Sequence, residues 1–266
     1  MTYYTTGALL SPPDARDYRV DRFAPVGAPN LPAGYDFRAV LPPVRNQGNE
    51  PSCVGHALTT VMGYQQITQA PAGQAPDREI LSPRDAYEGA RMIEPPPGNQ
   101  GGSYPRAALK WAQRQGVCRD DLWAYIDGQR GTPRAGAPES RYANRILTYS
   151  RVGLTPQAIR EALYWHGPIL AAVPTDQGFA ATGPDGRIQS RGLPLGAHAI
   201  AIAGWDDARQ AFIIRNSWGT GWGDRGDGYL PYSWPVTEAW SCTPALDAPP
   251  PEVSWLERIA PWLFLG

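Results

Sequence analysis

Cys53 is the first candidate for chemistry in this sequence, because it stands at the start of a predicted helix. Ser52 is placed to act as the N-cap, and apolar residues follow at helical spacing at Val54, Ala57, Leu58, Val61 and Met62. A thiol in the first turn lies near the positive end of the helix dipole and near free N–H groups, which favour the nucleophilic thiolate. A small buried hydrophobe is the alternative role at this position. A nucleophile therefore also requires a base.

His198 is the candidate base, because it lies in a predicted strand, Ala197 to Ala203, among Ala and Ile residues. A polar ring there is best explained if it faces a cleft. If Gly204 and Gln210 close a hairpin, His198 lies directly opposite Asn216, and a slip of one residue would break that pairing. The Asn216 amide could then fix the tautomer by binding one ring nitrogen, leaving the other to take the thiol proton.

Acyl transfer also requires donors for the oxyanion that forms on the attacked carbonyl group. The backbone N–H of Cys53 and the side-chain amide of Gln47 are the natural pair, since Gln47 lies on the loop that leads into the predicted helix. A solvated loop amide is the alternative interpretation of Gln47. Together the four residue types predict a Cys-His-Asn site with an oxyanion hole.

The elements that position these groups divide the chain into a helical first half and a β-rich second half. Capping residues and helical periodicity predict further helices at Ser82–Ile93, Tyr104–Gln115 and Thr155–Trp165. Short apolar runs between Gly, Pro and Asp predict strands at 169–173, 197–203, 210–215 and 228–230. A Gly-, Pro- and Arg-rich stretch at 127–145 is expected to connect the halves. This order predicts an α+β fold with an antiparallel sheet.

Composition indicates a loop-rich globular protein. Of 266 residues, 29 are Gly and 29 are Pro, yet 42% are hydrophobic and ten are Trp, which favours a packed core over disorder. The net charge of −1 removes the electrostatic reason to expect a nucleic-acid partner or an anionic membrane. No apolar run is long enough to span a bilayer, and the apolar stretch Trp255–Leu265 is expected to pack or dock instead.

The three cysteines exclude a disulfide scaffold and suit a reducing compartment. With no recognisable secretory segment, we expect a cytoplasmic location. The histidines are widely spaced and no Cys-x-x-Cys motif occurs, so no metal site is expected. The sequence also lacks a phosphate-binding or dinucleotide-binding glycine motif, so no cofactor is expected. Structural roles are the simplest interpretation of the remaining histidines and cysteines, His56, His166, Cys118 and Cys242.

Five segments come in an order that matches one enzyme family. They are Tyr35-Asp36-Phe37-Arg38; Pro43 to Gly48 with Ser52-Cys53; Gly98 to Gly102 with Tyr104-Pro105; Gly196-Ala197-His198-Ala199; and Asn216-Ser217-Trp218-Gly219 with Trp222-Gly223. Together they resemble the active-site segments of papain-family cysteine peptidases, and the resemblance covers about residues 31–230. The Asn-Ser-Trp-Gly segment is highly specific, whereas the Gly-rich loop alone would not be.

The resemblance implies a papain-like fold of two lobes with the active site in the cleft between them. Residues 31–150 would form the helical lobe with the nucleophile, and residues 151–266 the β-rich lobe with the catalytic His and Asn. The implied roles are nucleophile for Cys53, base and then acid for His198, orienting residue for Asn216 and oxyanion donor for Gln47. Trp218 would shield the His–Asn bond from water, and Gly101, Gly102 and Ala197 would line the substrate chain.

Several positions depart from the family pattern. Glu50, Gly89 and Asn99 stand where secreted members have bridging cysteines, so the chain is similar to compact microbial members that lack the usual disulfides. Pro51 and Val54 replace a usual Gly and Trp beside the nucleophile, which changes the shape of the substrate site. We expect Glu50 to favour a basic substrate residue in the adjacent pocket.

We expect that residues 1–30 are not the family's long helical propeptide, because they are too short and too Pro-rich. We expect residues 1–30 to form an extended arm instead. The arm is either a short pro-segment that lies across the cleft of its own chain or a segment that covers the surface without a functional role. The substrate class implied is a peptide or protein, cleaved through a Cys thioester acyl-enzyme. Two alternatives stay open: a transpeptidase or ligase that uses the same acyl-enzyme, and a catalytically silent peptide-binding or assembly protein.

Overall fold

Three helices from the first half of the chain pack together and carry the nucleophile segment. In the computed structural model, which describes residues 5–19, 30–68 and 80–244, they are α1 (Cys53–Thr68), α2 (Pro83–Ile93) and α3 (Pro105–Arg114). The start of α2 is set by Ser82, whose hydroxyl accepts a hydrogen bond from Asp85 N at 3.0 Å. All three helices lie where capping and periodicity predict them.

Three more helices belong to the connection and the second half: α4 (Ala137–Ala143), α5 (Pro156–His166) and α6 (Gln177–Ala180). Thr155 caps α5 by accepting a hydrogen bond from Ala158 N at 3.2 Å, as its position before a Pro predicts. The short helix α4 lies inside the stretch expected to be a plain connection, because its helical cues are confined to its first turn, at Pro138 and Glu139.

The sheet is antiparallel and contains the four predicted strands. Its members are β1 (Gly34–Asp36), β2 (Ile146–Arg151), β3 (Ile169–Asp176), β4 (Pro194–Asp206), β5 (Ala211–Arg215), β6 (Asp227–Pro231) and β7 (Glu238–Pro244). Among the described residues the order is β2-β7-β3-β4-β5-β6, and β1 pairs with β4. The strands β1, β2 and β7 were not predicted, because β1 is very short and the others mix polar with apolar residues.

The central strands β3 and β4 separate two apolar clusters. Alternate residues face the helices α1 to α3, among them Leu170, Ala172, Ala199 and Ala201. The intervening residues face a cluster on the opposite side of the sheet, with Phe179, Trp222 and Leu230. Period-two alternation with both faces apolar is the pattern of a strand buried on both sides. Because α1 packs directly on β4, the start of α1 is brought to the middle of that strand.

The expected α+β fold is confirmed, with helices on one side of the cleft and the antiparallel sheet on the other. Cys53, Cys118 and Cys242 are all free and buried. No helix within 5–19, 30–68 and 80–244 is both long and apolar enough to cross a membrane. The apolar stretch Trp255–Leu265, expected to pack or dock, lies outside the described residues.

Candidate active site

Cys53 and the strand β4 meet where α1 begins. The Sγ atom of Cys53 accepts a hydrogen bond from the backbone N–H of Ala199 at 3.4 Å, and Ala199 follows His198 on β4. Both Cys53 and His198 have no exposed surface. The Cys53 thiol therefore contacts the backbone of the residue that follows His198.

The His198 ring is oriented by Asn216. Its Nε2 atom lies 2.7 Å from Asn216 Oδ1, and the same oxygen accepts a hydrogen bond from Ser217 N at 2.7 Å. Since a carbonyl oxygen can only accept, Nε2 carries the proton and Nδ1 keeps its lone pair. Nδ1 is buried and has no hydrogen-bond partner among the described residues. The ring is thus held in the tautomer that can take a proton from a thiol.

The hairpin that delivers Asn216 differs from the prediction. The strand β4 continues past Gly204 to Asp206, and β5 ends at Arg215, so Asn216 is not directly opposite His198. A register shift between Ile202 and Gly204 moves the pairing by one residue. Because side chains alternate between faces, that shift leaves the His198 and Asn216 side chains on one face, an even number of residues apart. The predicted contact forms, but the predicted register was wrong.

Aromatic rings cover the His198–Asn216 pair. The Trp218 ring centroid lies 4.5 Å from that of His198 at an interplanar angle of 32°. The Phe179 ring centroid lies 6.1 Å from that of His198 and 5.5 Å from that of Trp218. Trp218 itself is buried. This arrangement supports the expected role of Trp218 in keeping water away from the hydrogen bond.

Burial dominates the titration of the pair. Desolvation raises the pKa of the Cys53 thiol to about 11, although hydrogen bonds from the N–H groups of Ala199, Gly7 and Val54 oppose that rise. Desolvation also lowers the pKa of His198 to about 4, opposed by the hydrogen bond to Asn216. In this closed state complete burial opposes the thiolate that the start of the helix favours. Burial disfavours the charged form of both groups.

The Gln47 amide is fixed by three contacts. Its Oε1 atom accepts a hydrogen bond from Ser217 Oγ at 2.6 Å, which orients the amide. Its Nε2 atom donates to Glu50 O at 2.9 Å and to Thr5 O at 3.0 Å. One amide hydrogen is therefore structural, and the other already holds a peptide carbonyl oxygen of the N-terminal arm. A preorganised N–H donor bound to a carbonyl is the arrangement an oxyanion hole requires.

The loop before Cys53 is anchored by an ion pair that the sequence did not reveal. The Glu50 carboxylate binds both terminal nitrogens of Arg84, and the Arg84 side chain is only 1% exposed. This ion pair compensates the Glu50 charge, which weighs against the expectation that Glu50 selects a basic substrate residue. Arg84 forms an i,i+4 pair with Glu88, a pattern more typical of a helix surface.

Tyr125 is a second anchor of this loop that was not predicted. Its hydroxyl donates to Gln47 O at 2.7 Å and lies 2.7 Å from Ser52 Oγ. Its ring lies 4.8 Å from the Arg84 guanidinium carbon. Nothing in the spacing of Tyr125, far along the chain in a loop, relates it to the nucleophile segment.

The arm segment, residues 5–11, runs between the edges of the two lobes. Ser103 N donates to Gly7 O at 3.0 Å, Leu9 N donates to Ser103 O at 3.0 Å, and Ala8 N donates to Ala197 O at 3.1 Å. Ala197 thus binds the extended arm segment. On the other side the hydrogen bonds are made by Ser103 rather than by Gly101 or Gly102.

Instead, the predicted residues Gly101 and Gly102 allow neighbouring chain segments to approach closely, because they have no side chain. A Cβ atom at Gly102, where φ is +97°, would lie 2.6 Å from Gly7 O. At Gly101 a Cβ atom would lie 2.3 Å from Pro51 Cγ. Gly102 therefore requires glycine while the arm segment is in place, and Gly101 requires it because of Pro51.

Further anchors fix the far end of the arm segment. Ser11 N donates to the buried Glu238 carboxylate at 2.9 Å, and Arg106 N donates to Ser11 Oγ at 3.1 Å. An ion pair between Arg106 and Asp17, at 3.1 Å, continues the attachment. The segment is consequently bound at both ends as well as at its centre.

Three of the four remaining predicted structural residues, His56, Cys118 and Cys242, are buried, and His166 is partly exposed. His56 packs edge-on against Tyr125 with ring centroids 4.4 Å apart, and Cys118 lies beside Asp85, which accepts a hydrogen bond from Cys118 N at 2.7 Å. Within the part of the chain that the structure describes, no three His, Cys, Asp or Glu side chains are grouped to hold a metal ion.

His56 predicts a specific loss of stability in acid. Burial lowers its pKa from 6.5 to about 3, so below pH 6.5 the unfolded chain binds a proton that the folded chain does not. Stability from this group is therefore present above pH 6.5 and is lost as pH falls towards 3. When the pH falls from 7 to 4.5, we expect the free energy of unfolding of a His56→Gln variant to decrease by about 2 kcal/mol less than that of the parent chain. Urea unfolding at both pH values measures this, and an equal loss in the two proteins would contradict it.

Comparison with known proteins agrees with this geometry. The sequence model described as papain family cysteine protease matches residues 31–238. A peptidase C1-like protein of Acanthamoeba polyphaga mimivirus is 26% identical over 208 residues, which cover 73% of this chain and 65% of the relative. Papain of Carica papaya is 27% identical over 210 residues, covering 75% of this chain and 55% of papain. The matched region thus spans 55% to 65% of these relatives' length.

Two solved structures share the fold. Xylellain, a cysteine protease from Xylella fastidiosa, superposes with a TM-score of 0.79 at 23% identity and covers 91% of this chain and 96% of its own. A Carica candamarcensis cysteine protease in complex with E-64 gives a TM-score of 0.64 at 22% identity, with coverage of 80% and 99%. The architecture expected from the sequence is therefore confirmed.

Proposed function

Because the chain belongs to the papain family of cysteine proteases, we propose that it is an endopeptidase that cleaves peptide bonds through a thioester on Cys53. The observation that carries this proposal is the His198 ring. The next residue, Ala199, donates its backbone N–H to Cys53 Sγ. The ring nitrogen Nε2 is held by Asn216 Oδ1 at 2.7 Å. The other ring nitrogen, Nδ1, is buried without a hydrogen-bond partner among the described residues. A structural histidine would have no reason to keep that nitrogen free.

The proposed reaction follows from these groups. His198 Nδ1 takes the thiol proton, and Cys53 Sγ attacks the substrate carbonyl carbon while Gln47 Nε2 and the Cys53 backbone N–H bind the carbonyl oxygen. The C–N bond then breaks, and the imidazolium gives its proton to the leaving amine. Water, deprotonated by the same ring, attacks the thioester and releases an acid and the free thiol. No cofactor takes part in these steps.

We further propose that the arm segment is an intramolecular occupant of the substrate site. Support comes from its hydrogen bonds to both edges, Ser103 and Ala197, and from the Thr5 carbonyl oxygen on Gln47. The arm group that faces Sγ is the N–H of Gly7, and the carbonyl group on Gln47 belongs to Thr5, two residues earlier. The arm would therefore inhibit without being cleaved at this point.

A cytoplasmic location is proposed on the strength of the three thiols. Cys53, Cys118 and Cys242 are all unpaired and buried, and Glu50 holds an ion pair at a position where secreted members have a bridging cysteine. A reducing compartment suits such a set of thiols.

The test of the proposed function is cleavage of a peptide library by the full-length chain, with Cys53→Ala as the control. Mass spectrometry of the products should show free carboxylates at internal cleavage sites that are absent with the variant. Adding an amine separates hydrolysis from acyl transfer, because a transpeptidase would yield amide products instead. Cleavage that persists in the Cys53→Ala chain would exclude the proposal.

A further inference from the structure

The hydroxyl group of Tyr125 connects the two residues that present the proposed oxyanion donors. It donates a hydrogen bond to Gln47 O at 2.7 Å. Its single proton is used there, so the Ser52 hydroxyl, 2.7 Å away, is the donor in the second contact. Gln47 carries the amide donor, and Ser52 forms the peptide bond that carries the Cys53 N–H. One hydroxyl thus holds the chain on both sides of the proposed oxyanion hole.

The position of this hydroxyl is fixed by the rest of the tyrosine. Tyr125 N donates to Asp120 Oδ1 at 3.2 Å. The ring lies 4.8 Å from the Arg84 guanidinium carbon on one side, and the His56 ring packs edge-on against it at 4.4 Å between centroids. None of these partners has a part in the proposed reaction. An effect of Tyr125 on catalysis therefore has to pass through the loop that its hydroxyl binds.

The two residues that follow this tyrosine also hold the loop between the donors. Arg84 Nη2 donates to Ile126 O at 2.9 Å, and the same guanidinium binds the Glu50 carboxylate. The Asp127 carboxylate accepts hydrogen bonds from Asn49 N at 2.9 Å and from Glu50 N at 3.0 Å. The loop is consequently anchored along its length, while only the tyrosine hydroxyl reaches the two residues at its ends.

We propose that Tyr125 is a positioning residue for the oxyanion hole. This inference rests on the proposed peptidase function and adds a residue that lies 78 positions after Gln47. Oxyanion donors are effective only when they are already aligned with the oxygen of the transition state. The Tyr125 hydroxyl keeps Gln47 and the peptide bond before Cys53 in that alignment. Because the demand on these donors is greatest in the transition state, removing the hydroxyl should lower kcat rather than raise KM.

The test is Tyr125→Phe, which removes the hydroxyl and keeps the ring contacts with Arg84 and His56. All variants are made in the full-length Gly7→Leu chain, in which the arm segment is expected to leave the cleft, so that arm binding does not enter the comparison. We expect kcat for peptide cleavage to fall about tenfold and KM to change by less than about twofold. Alkylation of Cys53 by iodoacetamide forms no oxyanion, so its rate should stay within about twofold.

A second background tests whether the hydroxyl acts through the amide donor. Gln47→Ala alone should lower kcat by about 100-fold. Adding Tyr125→Phe to it should cost about threefold or less, because the donor that the hydroxyl aligns is then already missing. A further loss of about tenfold in this background would show that Tyr125 does not act through Gln47 and would overturn the inference.

Tyr232→Phe is the matched control. Tyr232 follows the strand β6, and its hydroxyl donates to Asp207 Oδ1 at 2.6 Å, so this variant loses a hydrogen bond of similar length elsewhere in the fold. Its kcat should stay within about twofold of the parent. Ser52→Ala removes the other contact of the Tyr125 hydroxyl and replaces Tyr125→Phe if that chain does not fold. It should likewise lower kcat without slowing alkylation.

Three results separate this inference from the proposed function. A folded Tyr125→Phe chain with the kcat of its parent would overturn the inference and leave the peptidase intact. Cleavage and alkylation that slow together would do the same, because they would show a displaced thiol or a damaged fold rather than a misaligned donor. No cleavage of any peptide by the parent or the Gly7→Leu chain would overturn both.

Discussion

Replacing His198 with alanine is expected to lower kcat/KM for peptide cleavage by roughly 10⁴-fold. The imidazole takes the thiol proton and later protonates the leaving amine, and the structure holds it for both steps through the 2.7 Å contact with Asn216. The loss should be largest for amide substrates, whose leaving group needs a proton. Activated esters should lose less, because their leaving group departs without protonation. The measurement is steady-state kinetics on a matched amide and ester.

A histidine away from the site provides the control for this variant. His166 ends α5 and makes no contact with Cys53 or His198 among those described, so His166→Ala should keep amide cleavage within about threefold of the parent. Thermal unfolding of both variants separates lost chemistry from lost folding. A His198→Ala chain that is folded and retains a tenth of the parent activity would show that another group is the base.

The Gly7→Leu substitution is expected to raise the peptidase activity of the full-length chain by about 10- to 100-fold. A Cβ atom at this position would lie 2.3 Å from Pro51 O, and overpacking of this kind costs about 1–3 kcal/mol. That cost falls only on the closed state, so it shifts the population towards chains with an open cleft. Opening also hydrates Cys53, so the burial that raises its thiol pKa to about 11 is relieved and alkylation at pH 7 should accelerate.

The control for this prediction is another leucine in the arm. Pro13 is exposed, so Pro13→Leu should leave both the cleavage rate and the alkylation rate unchanged. Rates of cleavage and of iodoacetamide labelling, measured on the three chains, check the result. Equal rates in the parent and Gly7→Leu chains would contradict the proposed inhibitory role of the arm segment.

Much of the site could be predicted because its chemistry is local in sequence. Neighbouring residues are enough to predict the helix start at Cys53, the cap at Ser82 and the active-site segments with their order. The His198–Asn216 contact was anticipated for a partly incorrect reason, since a register shift between Ile202 and Gly204 sets the pairing. Such a shift depends on packing across the sheet, which no short pattern encodes.

The parts that could not be predicted depend on distant contacts. Arg84 reaches Glu50 across 34 positions of sequence, and this contact removes the charge on which the Glu50 hypothesis depended. The raised pKa of Cys53 likewise follows from its burial, which the helix position alone does not reveal. Local electrostatic cues indicate where a group lies but not whether a covering segment excludes water from it.

Trapping the acyl-enzyme tests the central claim most directly. The Gly7→Leu chain is mixed with an excess of an activated glycyl ester, quenched in acid within the first turnover and analysed by intact mass and peptide mapping. The account predicts one added acyl group, removable by hydroxylamine and located on Cys53. An unmodified chain that nevertheless hydrolyses the ester, or an acyl group on Cys118 or Cys242, would contradict it.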